Sequence, residues 1–298
     1  MADKLYGIVP ALITPLNENG TLDVGSLETL IEYQLAGGVH GIFVAGMTGE
    51  GAALRMSVLQ DLICQAHRII AGRVPLCAGV LEAGTRRTVE TAKLVADCGA
   101  DLLSTTVPYA PPSVSQDEIV DHFAYICDHT PLPWMVYGNS GCFTNITPAT
   151  MGKLARLDGV AAIKDTRPDF EGHLKNIMAV RGTGTTLLCG GEYLVGPGLL
   201  YGADGNISGA TNIFPRLFVD LYDNAKAGNV AAVQEASEKI AIIHGMTAQS
   251  GVSWLAVFKY AASKMGLMQP WCSKPYATLN DQQKRFVDEV LDRMEGIH

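Results

Sequence analysis

The chain has 298 residues, 48% of them hydrophobic, with a formal net charge of −8 and an isoelectric point near 5.3. An acidic chain without a run of basic residues does not present a nucleic-acid surface, and no stretch reaches the ~18 uninterrupted apolar residues of a membrane span. The N-terminus, Met1-Ala2-Asp3-Lys4-Leu5-Tyr6-Gly7, lacks the charged-then-apolar order of a signal peptide, so a soluble, cytoplasmic protein is expected.

Short apolar runs recur along the chain at residues 8–13, 41–45, 74–79, 101–106, 134–137, 160–164, 186–189 and 205–208. Bounded by turn signals, such runs read as buried strands of a parallel sheet. Helical periodicity fills the intervals. Residues 26–36 place Leu27, Leu30, Ile31 and Gln34 on one face, 57–71 do so with Val58, Leu62, Ile63 and Ile69, and 85–98 with Val89, Ala92 and Ala96. Strand and helix in alternation imply right-handed crossovers, and eight such units favour a closed α/β barrel, (β/α)8, over an open sheet. After the eighth strand the alternation stops, and 217–227, 230–244, 253–265 and 286–294 read as consecutive helices. The expected organisation is a barrel over 1–215 with a helical region over 216–298 packed on it.

Seven cysteines (Cys64, Cys77, Cys98, Cys127, Cys142, Cys189 and Cys272) are scattered with no Cys-x-x-Cys spacing. Several lie in apolar runs, and they read as small hydrophobes in a reducing compartment rather than as disulfides or ligands. The histidines show no metal-ligand spacing either, so no metal is expected.

The run Gly159-Val160-Ala161-Ala162-Ile163-Lys164-Asp165 ends a buried strand in an ammonium group. In a barrel, the C-terminal strand ends carry the chemistry. Burial disfavours the charged form, so the amine of Lys164 is expected to fall from ~10.4 toward neutrality and become a nucleophile for a carbonyl carbon. The bland reading is a lysine that snorkels to solvent. Tyr137 ends the preceding strand, and a phenol beside an imine-forming amine can carry protons; the bland reading there is an aromatic cap bonded to backbone. Between the second strand and the next helix, Gly46-Met47-Thr48-Gly49-Glu50-Gly51 offers converging backbone N–H groups suited to a carboxylate or phosphate.

Together these residues resemble the pyruvate-dependent class I aldolase and lyase superfamily, which contains N-acetylneuraminate lyase, dihydrodipicolinate synthase and 2-keto-3-deoxygluconate aldolase. The resemblance runs from about Gly7 to the helix containing Lys259. Its marks are Pro10-Ala11-Leu12-Ile13-Thr14-Pro15, Gly46-Met47-Thr48-Gly49-Glu50, Pro108-Tyr109, Tyr137, Ile163-Lys164-Asp165 and, most specific, Gly202-Ala203-Asp204-Gly205-Asn206-Ile207-Ser208. It implies a TIM barrel with a C-terminal helical extension, assembled as a homotetramer of two dimers. It also implies an imine between Lys164 and pyruvate or another 2-oxo acid, with Tyr137 as the acid/base group. Thr48 and Gly49 would hold the carboxylate beside Met47 and Tyr109, and Gly190 and Ile207 would line the pocket. No cofactor is needed, because the protonated imine is itself the electron sink. Lys259 and Lys264, on a predicted helix, read as solvated or salt-bridged rather than as the nucleophile.

The chain departs from the family pattern at several points. Met47 stands where a relay threonine or serine is usual, and methionine donates no proton. Tyr137-Gly138-Asn139-Ser140 replaces Tyr-Asn-x-Pro, and Gly141-Cys142-Phe143-Thr144 lacks the arginine that dihydrodipicolinate synthases carry there. Tyr109 is followed by Ala110 rather than by a second tyrosine. The expectation is therefore a Schiff-base aldolase or dehydratase other than dihydrodipicolinate synthase. Its pocket would be roomier and more apolar, taking a 2-oxo acid and an acceptor aldehyde or leaving group less charged than aspartate semialdehyde. The alternatives are condensation of the dihydrodipicolinate synthase type, a non-catalytic 2-oxo-acid-binding protein, and a phosphate-binding barrel enzyme.

Overall fold

The computed structural model describes residues 5–109, 113–138, 144–249 and 253–294. Its strands are β1 (Gly7–Pro10), β2 (Ile42–Val44), β3 (Leu76–Gly79), β4 (Leu102–Thr106), β5 (Trp134–Gly138), β6 (Val160–Asp165), β7 (Thr186–Cys189) and β8 (Gly205–Ser208). They form one eight-stranded sheet in the order β1-β8-β7-β6-β5-β4-β3-β2, paired in parallel throughout. The two end strands then meet. His40 N–H donates to Ile8 O at 2.8 Å, Leu12 N–H donates to Phe43 O at 2.8 Å, and Ala11 bridges Phe43. The sheet closes into the expected barrel.

Parallel strands need crossovers, and these are α1 (Val24–Ala36), α2 (Met56–Ile70), α3 (Thr85–Val95), α4 (Gln116–His129), α5 (Pro148–Leu154), α6 (Phe170–Val180) and α7 (Val195–Leu200). After β8 come α8 (Pro215–Lys226), α9 (Val230–Gln249), α10 (Trp254–Lys264) and α11 (Asp281–Arg293). Two helix boundaries depart furthest from the sequence reading, for identifiable reasons. Helix α9 runs past His244 because Ile240, Ile243 and Met246 keep a buried stripe going. Helix α11 starts ahead of its first apolar residue because Asn280 and Gln283 close a capping box there, which satisfies the free N–H groups of a polar first turn. Among the described residues no helix is long and apolar enough to cross a membrane.

Strand β1 stops at Pro10 although the apolar run continues to Ile13. Beyond it, the Asn212 side chain takes the place of a neighbouring strand: it accepts from Ile13 N–H at 3.0 Å and donates to Ala11 O at 2.8 Å. The backbone polar groups are satisfied without a ladder.

The core has two layers. Val9, Phe43, Cys77, Met135, Ala162 and Ile207 are among the side chains that fill the barrel, while a much larger set packs between the strands and the helices. Side chains alternate along a strand, so in β6 Ala162 and Lys164 share the inner face, and Ile163 and Asp165 face the helices. This phase aims the one amine on β6 into the barrel mouth.

The cysteine expectation needs correction at one pair. Cys64 of α2 and Cys98 of the short turn Ala96–Cys98 form a disulfide across 34 residues, with Cα atoms 4.4 Å apart. No spacing rule announces it, because packing of α2 against that turn is what brings the two together. Cys77, Cys127, Cys189 and Cys272 are free thiols, and Cys142 lies outside the described residues.

Candidate active site

Lys164 is 4% exposed. In the β5–β6 register it stands directly opposite Tyr137. Its Nζ lies 4.1 Å from the Tyr137 ring centroid and 5.6 Å from that of Phe43, and the two rings meet edge to face. Burial pushes the amine down to about 7, against the pull of Glu192, Cys77 and Cys189, which favour the charged form. A group so placed is substantially neutral, and therefore nucleophilic, near physiological pH.

The outer face of β6 is braced from behind. Asp165 accepts from His173 Nδ1 at 2.7 Å, from Asn176 Nδ2 at 3.0 Å and from Arg167 Nε at 3.3 Å. Both His173 and Asn176 belong to α6, whose N-terminus is capped by Asp169. Burial by itself would lower His173, but its bonds to Asp165 and Cys189 raise it to about 9. The strand end that carries Lys164 is thus fixed by a buried charged network.

The loop after β2 is held tightly. Gly51 N–H donates to Gly46 O at 3.0 Å, Glu50 N–H donates to Met47 O at 3.1 Å, and the Thr14 hydroxyl donates to Gly49 O at 2.6 Å. A Cβ at Gly49 would come within 2.8 Å of both Ala45 N and Leu12 O, so the close approach there requires glycine. Thr48 is buried and Met47 half-buried.

One cavity of about 410 Å³ brings together Lys164, Tyr137, Met47, Thr48, Gly190 and Ile207. These are six of the eight residues singled out from the sequence. Gly190 packs against Thr166, where a Cβ would sit 2.1 Å from the hydroxyl oxygen. Gly49 is buried behind the cavity wall rather than lining it. Tyr109 lines a neighbouring cavity of about 530 Å³, its hydroxyl donating to Leu81 O at 3.3 Å; Met47 and Trp254 face both spaces. Ala110, Asn139, Ser140, Gly141, Cys142 and Phe143, also singled out from the sequence, lie outside the described residues.

The cavity also holds residues that the sequence reading did not assign. Thr166 follows β6, Glu192 and Tyr193 follow β7, and His244, Trp254 and Phe258 come from α9 and α10. Glu192 accepts from Ala210 N–H at 2.8 Å and faces His244 Nδ1 at 3.4 Å, while Tyr193 packs against the His244 ring. The hydrogen bond from its ring to the Glu192 carboxylate is the main reason His244 is raised from the ordinary histidine value. Glu192 was legible as a strand-end residue after Gly190-Gly191. The helical contributors carried no signal, because their role depends on how the C-terminal helices dock.

A profile of the dihydrodipicolinate synthetase family matches residues 4–294. The chain belongs to the dihydrodipicolinate synthetase family. Among its relatives, 4-hydroxy-tetrahydrodipicolinate synthase from Xanthomonas campestris pv. campestris is 34% identical over 245 residues, covering 81% of this chain and 80% of that protein. The enzyme of the same name from Gluconacetobacter diazotrophicus is 29% identical over 96% of this chain and 95% of its own length. Among solved structures, the Bacteroides thetaiotaomicron dihydrodipicolinate synthase superposes with a TM-score of 0.90 at 30% identity, covering 97% of this chain and 98% of that one. The Escherichia coli K12 prophage protein YagE, a family member solved in complex with pyruvate, superposes with a TM-score of 0.92 at 27% identity over 98% and 99%. The family consists of pyruvate-dependent aldolase-type enzymes that hold pyruvate as an imine on a lysine, with no other cofactor.

Proposed function

We propose that the protein is a Schiff-base lyase in which Lys164 condenses with pyruvate or another 2-oxo acid, acting as an aldolase or dehydratase rather than as a dihydrodipicolinate synthase. The neutral amine attacks C2 of the oxo acid, and the resulting carbinolamine loses its oxygen as water to leave an imine. Protonated, the imine withdraws electrons: in cleavage the C4 hydroxyl loses its proton and the C3–C4 bond breaks to an aldehyde and an enamine, whereas in dehydration C3 loses a proton to give the enamine, which expels the protonated C4 hydroxyl as water. Tyr137, opposite Lys164 in register, carries protons to and from the carbinolamine and the substrate oxygens. Thr48, in the cavity wall, holds the carboxylate, and Gly49 behind it fixes the turn of the loop. The observation that carries the reading is a buried lysine whose amine is pushed to about 7 by burial, placed over a tyrosine ring in a cavity far larger than pyruvate.

The second half of the cavity supports an acceptor or leaving group without strong negative charge. Besides Lys164, the basic side chain among the described lining residues is His244, and Glu192 already engages it. Glu192 itself would repel an incoming carboxylate. Met47 offers no hydroxyl for a proton relay. The relatives named 4-hydroxy-tetrahydrodipicolinate synthase favour the second reading, condensation of pyruvate with aspartate semialdehyde. The same proposal takes the protein to be a cytoplasmic homotetramer, with residues 1–215 as the barrel unit.

Intact-mass spectrometry after incubation with pyruvate and borohydride tests the imine. The expected result is an adduct in wild type that is absent in Lys164→Ala; no adduct with pyruvate or longer 2-oxo acids overturns the enzyme reading in favour of a binding protein. An acceptor screen then separates the two reactions. Turnover confined to aspartate semialdehyde and other carboxylate-bearing aldehydes would restore dihydrodipicolinate synthesis.

A further inference from the structure

Lys259 is a lysine with no exposed surface, and it lies on α10, outside the barrel. Its Nζ is ion-paired with Glu50 Oε1 and donates to Trp271 O at 2.6 Å. The other oxygen of Glu50 accepts from Ser273 N–H at 2.6 Å. Glu50 itself takes a left-handed backbone conformation, with φ of 61°, that L side chains rarely adopt. Such a residue persists where its surroundings over-determine it. Here the determinants are the pair with Lys259, the Ser273 bond, and the carbonyl of Glu50, which accepts from Ala53 N–H at 2.7 Å and from Leu54 N–H at 3.1 Å.

Stability alone is a weak reason to bury an ion pair. Taking both charges out of water costs about what their attraction returns, and apolar residues of similar volume often serve equally well. What the pair supplies is geometry, because the desolvation cost is offset in one arrangement only. Glu50 is two residues from Thr48, in the loop that faces the cavity. Phe258, next to Lys259 on α10, forms part of the cavity wall. One helix therefore both walls the cavity and anchors the carboxylate-binding loop.

We infer that Lys259 is a positioning residue for the 2-oxo-acid carboxylate: through Glu50 it holds the loop carrying Thr48 in its binding geometry. The inference rests on the proposed role of that loop in binding the carboxylate. It makes the C-terminal helical region part of the substrate site, although Lys259 touches no substrate.

The test is the pyruvate dependence of borohydride trapping at Lys164, which needs no knowledge of the second substrate. Removing one partner leaves a buried unpaired charge and risks misfolding, so the deciding variant replaces both, Glu50→Met with Lys259→Met. In a folded double variant the half-saturating pyruvate concentration is expected to rise about tenfold, the loss of one charge-assisted hydrogen bond, while the maximal trapping rate changes by less than about threefold. Glu50→Gln with Lys259→Met, which removes both charges and keeps the acceptor for the Ser273 N–H, is expected to show the same split, and it decides the matter if the first double variant does not fold. A folded variant with wild-type half-saturation, or one whose maximal rate falls while half-saturation holds, overturns the positioning role. Wild type giving no adduct at all overturns the site reading first, and the two failures are thereby told apart.

Discussion

Replacing Lys164 with methionine removes an amine from a place where its charged form is strongly disfavoured, and the consequence for stability has a definite pH dependence. A lysine moved from 10.5 to about 7 by burial carries a penalty of roughly 5 kcal/mol in the folded state when protonated. Below pH 7 the amine is charged in both folded and unfolded chains, and the full penalty applies. Between pH 7 and 10.5 the folded amine is neutral while the unfolded chain still binds a proton. Wild-type stability therefore rises by about 1.4 kcal/mol per pH unit from this group. Above 10.5 the penalty is gone. Methionine fills similar space, and its added apolar contact is the same at every pH, so the pH dependence isolates the charge. For a chain of this size the unfolding entropy makes 1 kcal/mol about 1.6 °C, so the variant is expected to melt higher by roughly 8 °C at pH 6. That gap should narrow steadily toward pH 9. Paired thermal melts of wild type and Lys164→Met across pH 6 to 9 measure it. A gap that stays flat with pH, or a variant less stable at every pH, would refute the claim that burial makes Lys164 a nucleophile.

Other substitutions probe the neighbours of that amine. Tyr137→Phe is expected still to form the borohydride-trapped adduct, but more slowly, while turnover of the substrate found by screening falls by roughly 10²–10⁴; undiminished turnover would remove Tyr137 from proton transfer. Because Glu192 favours the charged form of Lys164, Glu192→Gln should shift the pH midpoint of imine trapping downward, and an upward shift would contradict that assignment. His173 is raised from 6.5 to about 9, so the stability it contributes is fully present below pH 6.5 and is lost as pH rises through 9. The melting advantage of wild type over His173→Asn should accordingly be larger at pH 6 than at pH 9.5, and a reversed trend would show that the histidine is buried neutral.

The barrel and the placement of Lys164 and Tyr137 were written locally. Apolar runs of four to six residues punctuated by turns encode strands buried on both faces, and their alternation with helical periodicity leaves a parallel closed sheet as the compact solution. The two-residue period of β6 alone puts Lys164 on the same face as Ala162, and one step along the barrel brings Tyr137 opposite. What the chain could not disclose were features set by docking between distant segments. The Cys64–Cys98 disulfide depends on how α2 packs against the turn before β4. Tyr109 faces a neighbouring cavity because of where the chain turns after β4, and His244, Trp254 and Phe258 reach the site because α9 and α10 fold back over the barrel mouth. Lys259 shows the difference most clearly. Its helical setting made a salt bridge readable from sequence, but its partner Glu50 lies far back in the chain, after β2. Periodicity reports which face of an element is buried, whereas the partner across that face is decided only by tertiary packing.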